Sequence, residues 1–214
     1  MPLSAGWRPV DPDALPALIA ERVARDPGIR RVAVDGAPAA EPAALAEALI
    51  EPLRSLGRPA VHVRAETFWR DASLRFEYGR EDVDSYETWL DGAALRREVL
   101  DPIVTAGTYL PSLRDPSTNR ATRAARQPAE PGTVLLVSGA LLLSPYKWEP
   151  LPFDTTVHLT LTPAARTRRT AADQQWSLAA FERYDEQVEP IASADVVVKV
   201  DDRRHPAIRL ARSD

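Results

Sequence analysis

The stretch from Arg30 to Leu56 does most to limit what this chain can fold into. Arg30-Arg31-Val32-Ala33-Val34-Asp35 is a short run rich in strand-forming residues, and Gly36-Ala37-Pro38-Ala39-Ala40-Glu41-Pro42-Ala43 follows it directly. From Ala44 onward, Leu45, Leu49, Leu53 and Leu56 recur at helical spacing and mark one apolar face. A strand feeding a loop that opens on Gly and leads into a helix is the local geometry that presents backbone N–H groups to a phosphate.

Composition narrows the setting. A chain of 214 residues suits one α/β domain with a substantial core. A net charge of -4 gives no global attraction to nucleic acid or to an anionic membrane, so neither is expected as a partner. Without Cys there are no disulfides and no thiolate metal sites. The first residues lack an apolar signal core and no apolar run approaches a membrane span, so the expectation is a soluble, cytoplasmic protein. Of the 27 basic residues only Lys147 and Lys199 are lysines.

In chain order, residues 11–26 read as a helix with Leu15, Leu18, Ile19 and Val23 on its apolar face, packed on the core as an N-terminal segment over 1–28. Residues 29–214 read as a single domain. Pro52 is expected to bend the helix that begins near Ala44 or to start a new turn. Residues 60–64 form a second strand, giving a βαβ unit and parallel strands. An insertion over about 65–104 mixes aromatics with charges and ends in a helix capped by Asp91, with Leu95, Val99 and Ile103 on its apolar face. Residues 105–132 form an exposed connection. Residues 133–137 form the most apolar strand, and 155–161 and 195–200 give two more. Residues 163–190 are mostly helical and open with Arg166, Arg168 and Arg169.

Several of these pieces, in this order, resemble the uridine kinase family within the nucleoside-kinase-like P-loop proteins. They are Val34-Asp35-Gly36, then Gly57-Arg58-Pro59-Ala60-Val61-His62-Val63, then Glu66-Thr67-Phe68-Trp69-Arg70. Tyr86-Glu87, Asp91, Ala94-Leu95-Arg96-Arg97 and Leu100-Asp101-Pro102 are similar to the acceptor-side helix. Residues 131–139 are similar to the third strand, and Tyr184, Glu189-Pro190 and residues 194–198 to the closing helix and strand. The resemblance covers about Arg30 to Pro206. It implies a P-loop NTPase-like three-layer α/β sandwich: a mostly parallel five-stranded sheet flanked by helices, with a small helical lid over about 163–172. It also implies a nucleoside or nucleotide-like ligand, and self-assembly into a homo-oligomer as relatives do.

The phosphate loop departs from the pattern G-x-x-x-x-G-K-[ST]. Gly36 is kept, but Glu41 stands at the second Gly, Pro42 at the Lys and Ala43 at the Ser/Thr. Pro42 removes a charge and an N–H, Ala43 removes a Mg²⁺-binding hydroxyl, and Glu41 adds an acid. A carboxylate about 4 Å from a phosphate charge costs roughly 4 kcal/mol at an effective dielectric near 20. The helix dipole returns about 0.3–1 kcal/mol. Repulsion wins unless Glu41 turns outward. The same residues equally suit a plain helix start, with Glu41 at or near the N-cap and Pro42 at N1. Ser138 replaces the acid that the family places near the end of the third strand for Mg²⁺, and a hydroxyl is a poor hard-cation ligand. Asp35, Gly36, Glu41, Pro42 and Ala43 therefore mark a degraded cofactor position, and neither ATP nor Mg²⁺ is expected to bind.

The acceptor side is better kept. The resemblance puts Glu66 at the catalytic acid that accepts a hydroxyl proton if the protein is active. Phe68, Arg70, Tyr78, Arg80, Tyr86 and Trp89 are candidates for holding a nucleoside-like ring, and also suit packing beneath a long insertion. Arg166, Arg168 and Arg169 resemble phosphate-clamping lid arginines, and also suit a solvated face. His62, His158 and His205 are scattered without metal-ligand spacing. The arginines at 114, 120, 123 and 126 lack the interleaved aromatics of a polyanion site.

Three functional readings remain. The first is a uridine-kinase-like pseudokinase that binds a nucleoside- or nucleotide-like ligand or serves as a regulatory subunit. The second is an active ATP-dependent nucleoside kinase (a phosphotransferase) with a rearranged phosphate site, whose replacement cation would come from Lys147, Lys199 or the lid arginines. The third is a protein-interaction module without a small-molecule ligand.

Overall fold

Short strands buried on nearly every residue, and so on both faces, build the centre of the sheet of this protein, whose computed structural model describes residues 6–145 and 149–211. Seven strands pair in one sheet: β1 (Arg8–Pro9), β2 (Arg30–Gly36), β3 (Ala60–Arg64), β4 (Val134–Gly139), β5 (Thr155–Thr160), β6 (Val196–Lys199) and β7 (Ala207–Leu210). Their spatial order is β1-β7-β6-β5-β2-β4-β3. Strands β3, β4, β2, β5 and β6 are parallel throughout, and β7 and β1 add an antiparallel edge beside β6. The five parallel strands expected from the sequence are present; the two short edge strands are additions.

Helices cover both faces, which makes the three layers. Within β2, Val32 and Val34 face one side, where Ile19 of helix α1 (Leu15–Val23) and Leu45, Leu49 and Leu53 of helix α2 (Pro42–Ser55) pack. Ala33 faces the other, with Leu135 and Val137 of β4, Phe68, and Leu95, Val99 and Ile103. The strand period of two thus divides the core into two clusters.

Helix α1 begins at Leu15 rather than Asp11, because Asp11 spends its carbonyl and carboxylate on the turn that precedes it. The N-terminal segment also contributes β1. Pro52 does not end α2, which runs on to Ser55; a proline this close to the C-terminus removes only one hydrogen bond from the last turns. Asp91 caps its helix as expected, its carboxylate accepting from the Ala94 N–H at 2.9 Å. That helix carries a π-helical turn at Arg96–Leu100 between α-helical pieces. In the 105–132 connection, Thr108–Tyr109 pairs with Gln127–Pro128. Helix α3 (Pro163–Arg169) lies in the segment expected as a lid, and helix α4 (Leu178–Gln187) follows it.

Candidate functional site

The loop after β2 folds tightly on itself. Pro38–Ala40 form a single 3-10 turn in which the Ala40 N–H donates to the Ala37 carbonyl at 2.8 Å and the Glu41 N–H to that of Pro38 at 3.0 Å. Pro38 and Pro42 have no N–H to offer. Gly36 is needed where it stands, since a Cβ there would lie 2.9 Å from the Leu159 carbonyl oxygen of β5. Glu41 takes a left-handed conformation (φ 60°) as the residue before helix α2, and Pro42 opens that helix. The Glu41 carboxylate does turn outward, pairing with Arg203 at 2.6 Å.

Asp35, expected at the cofactor loop, is fully buried rather than open to it. Its neighbour in register on β5 is His158, and side chains paired across parallel strands share a face. Asp35 Oδ2 lies 2.7 Å from His158 Nδ1 and accepts the Tyr184 hydroxyl of α4 at 2.8 Å. Asp35 Oδ1 accepts the Leu142 N–H at 2.8 Å, from the loop after β4. Leu141, just before it, is left-handed at φ 60°. The sequence gives Asp35 no visible partner, because His158 lies 123 residues away and Tyr184 lies 149 away. Ser138 is also buried, its hydroxyl 2.8 Å from His62 Nε2. Burial holds the His62 imidazole below the usual histidine range, with Arg64 adding to the effect and Glu47 opposing it.

A cavity of about 270 Å³ opens beside this loop, lined by Pro38, Arg64, Glu66, Trp69, Tyr86, Trp89, Leu141 and Gln174 among others. Glu66 reaches it because Gly139 lets the 65–68 turn approach the end of β4; a Cβ at Gly139 would sit 2.7 Å from the Ala65 Cβ. Burial pushes the Glu66 carboxyl up, against weaker pulls downward from its own backbone amide and Arg64. Arg64 Nε is 3.7 Å from Glu66 Oε2, beyond hydrogen-bond reach, and that oxygen is buried with no hydrogen-bond partner. Burial, with the charge of Glu66 added, pushes the Tyr86 phenol far above its ordinary value.

Trp89 centres an aromatic cluster, with ring centroids 5.3 Å from Trp69, 5.4 Å from Phe76, 4.9 Å from Tyr86 and 5.8 Å from Trp176. On the far side the buried Arg75 lays its guanidinium 5.1 Å from Trp69, 4.7 Å from Phe76 and 4.9 Å from Trp89. Of the residues expected to hold a ring, the structure brings Tyr86 and Trp89 to the cavity with Glu66. Phe68 is fully buried in the core, where its ring replaces apolar contacts rather than facing a ligand. Tyr78 is 77% exposed, and Arg80 stacks on Phe76 from the solvent side at 4.9 Å. Arg70 lines two neighbouring clefts instead. Trp69 and Gln174 also line the cavity; Trp69 belongs to the aromatic insertion whose texture suits a pocket lining but was not among the residues expected to hold a ring, and Gln174 had no expected role. The spacing of Trp69 beside Glu66 was the available signal for the first; nothing local marked the second.

The three lid arginines diverge. Arg166 is buried, pairs with Asp185 and lies 5.7 Å from the Phe181 ring. Arg169 donates to the Asp201 carbonyl at 2.8 Å. Arg168 is exposed. A short helix cannot aim three closely spaced side chains at one point, since successive residues turn by about 100°. Of the other candidate cations, Lys147 lies outside the described residues and Lys199 pairs with Asp201 at 3.4 Å. Among the described residues Arg203 reaches the loop, through Glu41. Among the described residues no three His, Asp or Glu side chains gather as a metal site, and no helix is long and apolar enough to cross a membrane.

No protein-family model and no curated protein matches the chain. Solved structures do. A possible uridine kinase from Bacillus stearothermophilus superposes with a TM-score of 0.68 at 19% identity, over 85% of this chain and 96% of that one. A candidate fructose transport system kinase from Silicibacter sp. TM1040 gives 0.57 at 23%, over 86% and 95%. The YGR205w protein gives 0.61 at 9%, over 95% and 100%. At these identities the likeness is one of architecture, and it establishes that the chain has the α/β fold of P-loop kinase-like proteins.

Proposed function

We propose that this protein is a kinase-fold protein that does not transfer phosphate from Mg-ATP and instead holds a small nucleoside- or nucleotide-like ligand in the cavity beside Glu66. The observation that carries the reading is the closed loop: the Ala40 and Glu41 amides bond within the turn, and Pro38 and Pro42 have none to give. A triphosphate needs a run of free N–H donors, a lysine and a metal-binding hydroxyl. Here the corresponding side chains are Pro42 and Ala43, and the hydroxyl of Ser138 is engaged by His62. Glu41 and Arg203 pair at the loop's edge, so the positive charge of Arg203 is matched there by an acid. The cavity keeps a buried acid, a phenol and two tryptophans, which are groups that hold a planar or hydroxyl-bearing ligand.

Isothermal titration calorimetry tests this. Mg-ATP, and ATP without metal, are expected to give no binding heat up to millimolar concentration, while at least one of uridine, cytidine or adenosine binds. Micromolar Mg-ATP binding with nucleoside-dependent ADP release would overturn the proposal.

A further inference from the structure

The Glu66 cavity also carries information about which ligands it favours, and the argument rests on the binding role just proposed. Three observations converge. Glu66 Oε2 is buried and accepts no hydrogen bond. The other acid at the cavity, Glu87, has Arg183 Nε 2.9 Å from its Oε1, although that oxygen too is buried without a hydrogen bond; Glu66 has only Arg64 at 3.7 Å and is the less closely matched acid. Trp69 and Trp89 meet edge to face at 74°, and Tyr86 and Trp89 at 66°, so their rings form walls at steep angles to one another. Ring faces carry negative potential and attract cations. This same cluster already holds the buried Arg75 guanidinium against Trp69 and Trp89, so its rings are engaged by positive charge in the protein's own packing.

We infer that the cavity is selective for an amine: a small ring-bearing ligand whose ammonium group donates to Glu66 while its ring packs against the tryptophans. An alcohol of the same shape would give Glu66 a neutral hydrogen bond, whereas an ammonium gives a charge-assisted one. Arg64 is the competing cation, but it stands 3.7 Å from Glu66 with its side chain 57% exposed, so it can swing into water when a ligand enters. The volume of about 270 Å³ admits one aromatic ring with a short arm.

The test compares 2-phenylethylamine with 2-phenylethanol, which differ in one group, by calorimetry at pH 7.5, with uridine and cytidine titrated alongside. The expected result is binding of the amine at least tenfold tighter than the alcohol. That preference is expected to disappear in Glu66→Gln, the variant first checked for an unchanged near-ultraviolet circular dichroism spectrum. Equal affinity for the two probes, or an amine preference that survives Glu66→Gln, overturns the inference. If a nucleoside binds but the amine is not preferred, only the amine selectivity falls. If neither probes nor nucleosides bind, the ligand-binding role falls with it.

Discussion

Tyr184 and Asp35 meet in the interior: the phenol of helix α4 donates at 2.8 Å to a carboxylate with no solvent exposure, on the oxygen that His158 Nδ1 also approaches. With the Leu142 amide on the other oxygen, this one side chain ties strand β2 to β5, to α4 and to the loop after β4. Removing it takes a partner at once from the Leu142 amide, the His158 imidazole and the Tyr184 hydroxyl, the last of which keeps the Leu143 N–H at 3.2 Å. Asp35→Ala is therefore expected to cost about 3–5 kcal/mol, the range for breaking a buried charged network. Tyr184→Phe leaves the histidine and amide in place and is expected to cost about 1–2 kcal/mol. Urea denaturation measures both, and equal losses for the two variants would contradict the network.

A second buried contact gives a dependence on pH. His62 is held below its ordinary value by burial, beside the Ser138 hydroxyl at 2.8 Å. Below about pH 6.5 the unfolded chain's imidazole takes up a proton while the folded one does not, until the lower folded value is reached. The unfolded state then binds more protons, so stability falls with pH across that window. His62→Gln is expected to lose this component. The difference in melting temperature between wild type and variant should be largest at pH 7.5 and shrink by pH 5. A difference that widens on acidification would show that His62 gains its proton on folding.

The strand, loop and helix of residues 30–56 were legible because each rests on local signals: a β-branched run, a glycine, a proline at a helix start and leucines at helical spacing. The Asp91 cap was legible for the same reason. Glu41 at the helix start follows from the chain, whereas the chain leaves its outward turn open, and its partner Arg203 is not legible, being 162 residues away by number. The Asp35–His158–Tyr184 contact is long-range and depends on strand register, which periodicity alone does not fix. The antiparallel edge strands β1 and β7 are too short to show an alternating pattern. Among the aromatics, composition identified a cluster but not its orientation. Tyr78 and Tyr86 look alike in sequence, yet one faces solvent and the other the cavity. The lid arginines read as a group because they adjoin in sequence, whereas the helix disperses them.

Arg75 went unassigned in the sequence and holds the aromatic cluster together. Its guanidinium lies against three rings, and its Nε donates to the Arg70 carbonyl at 2.9 Å. A lysine keeps the charge but not the plane that stacks or the fixed donor geometry. Arg75→Lys is expected to destabilise the protein by about 1–2 kcal/mol, since desolvated cation–π contacts reach about 2 kcal/mol. It should also change the near-ultraviolet circular dichroism of Trp69 and Trp89. An unchanged spectrum with unchanged stability would mean that the rings pack without it.

Glu66 makes the opposite pH prediction from His62. Burial raises its carboxyl above the ordinary value of 4.5, so the folded protein keeps a proton that the unfolded chain has already released. As pH rises from 4.5 through the folded value, the unfolded state binds fewer protons than the native state, and stability declines. The stability that the protonated acid contributes is present below 4.5 and gone above the folded value. An uncharged amide of the same shape avoids the cost of a buried, unpaired carboxylate. Glu66→Gln is therefore expected to melt above the wild type at pH 7.5, with the two curves converging as pH approaches 4.5. If the variant melts lower at pH 7.5, the carboxylate is matched by a partner in the folded state, and the unfilled acceptor on which ligand selection depends does not exist.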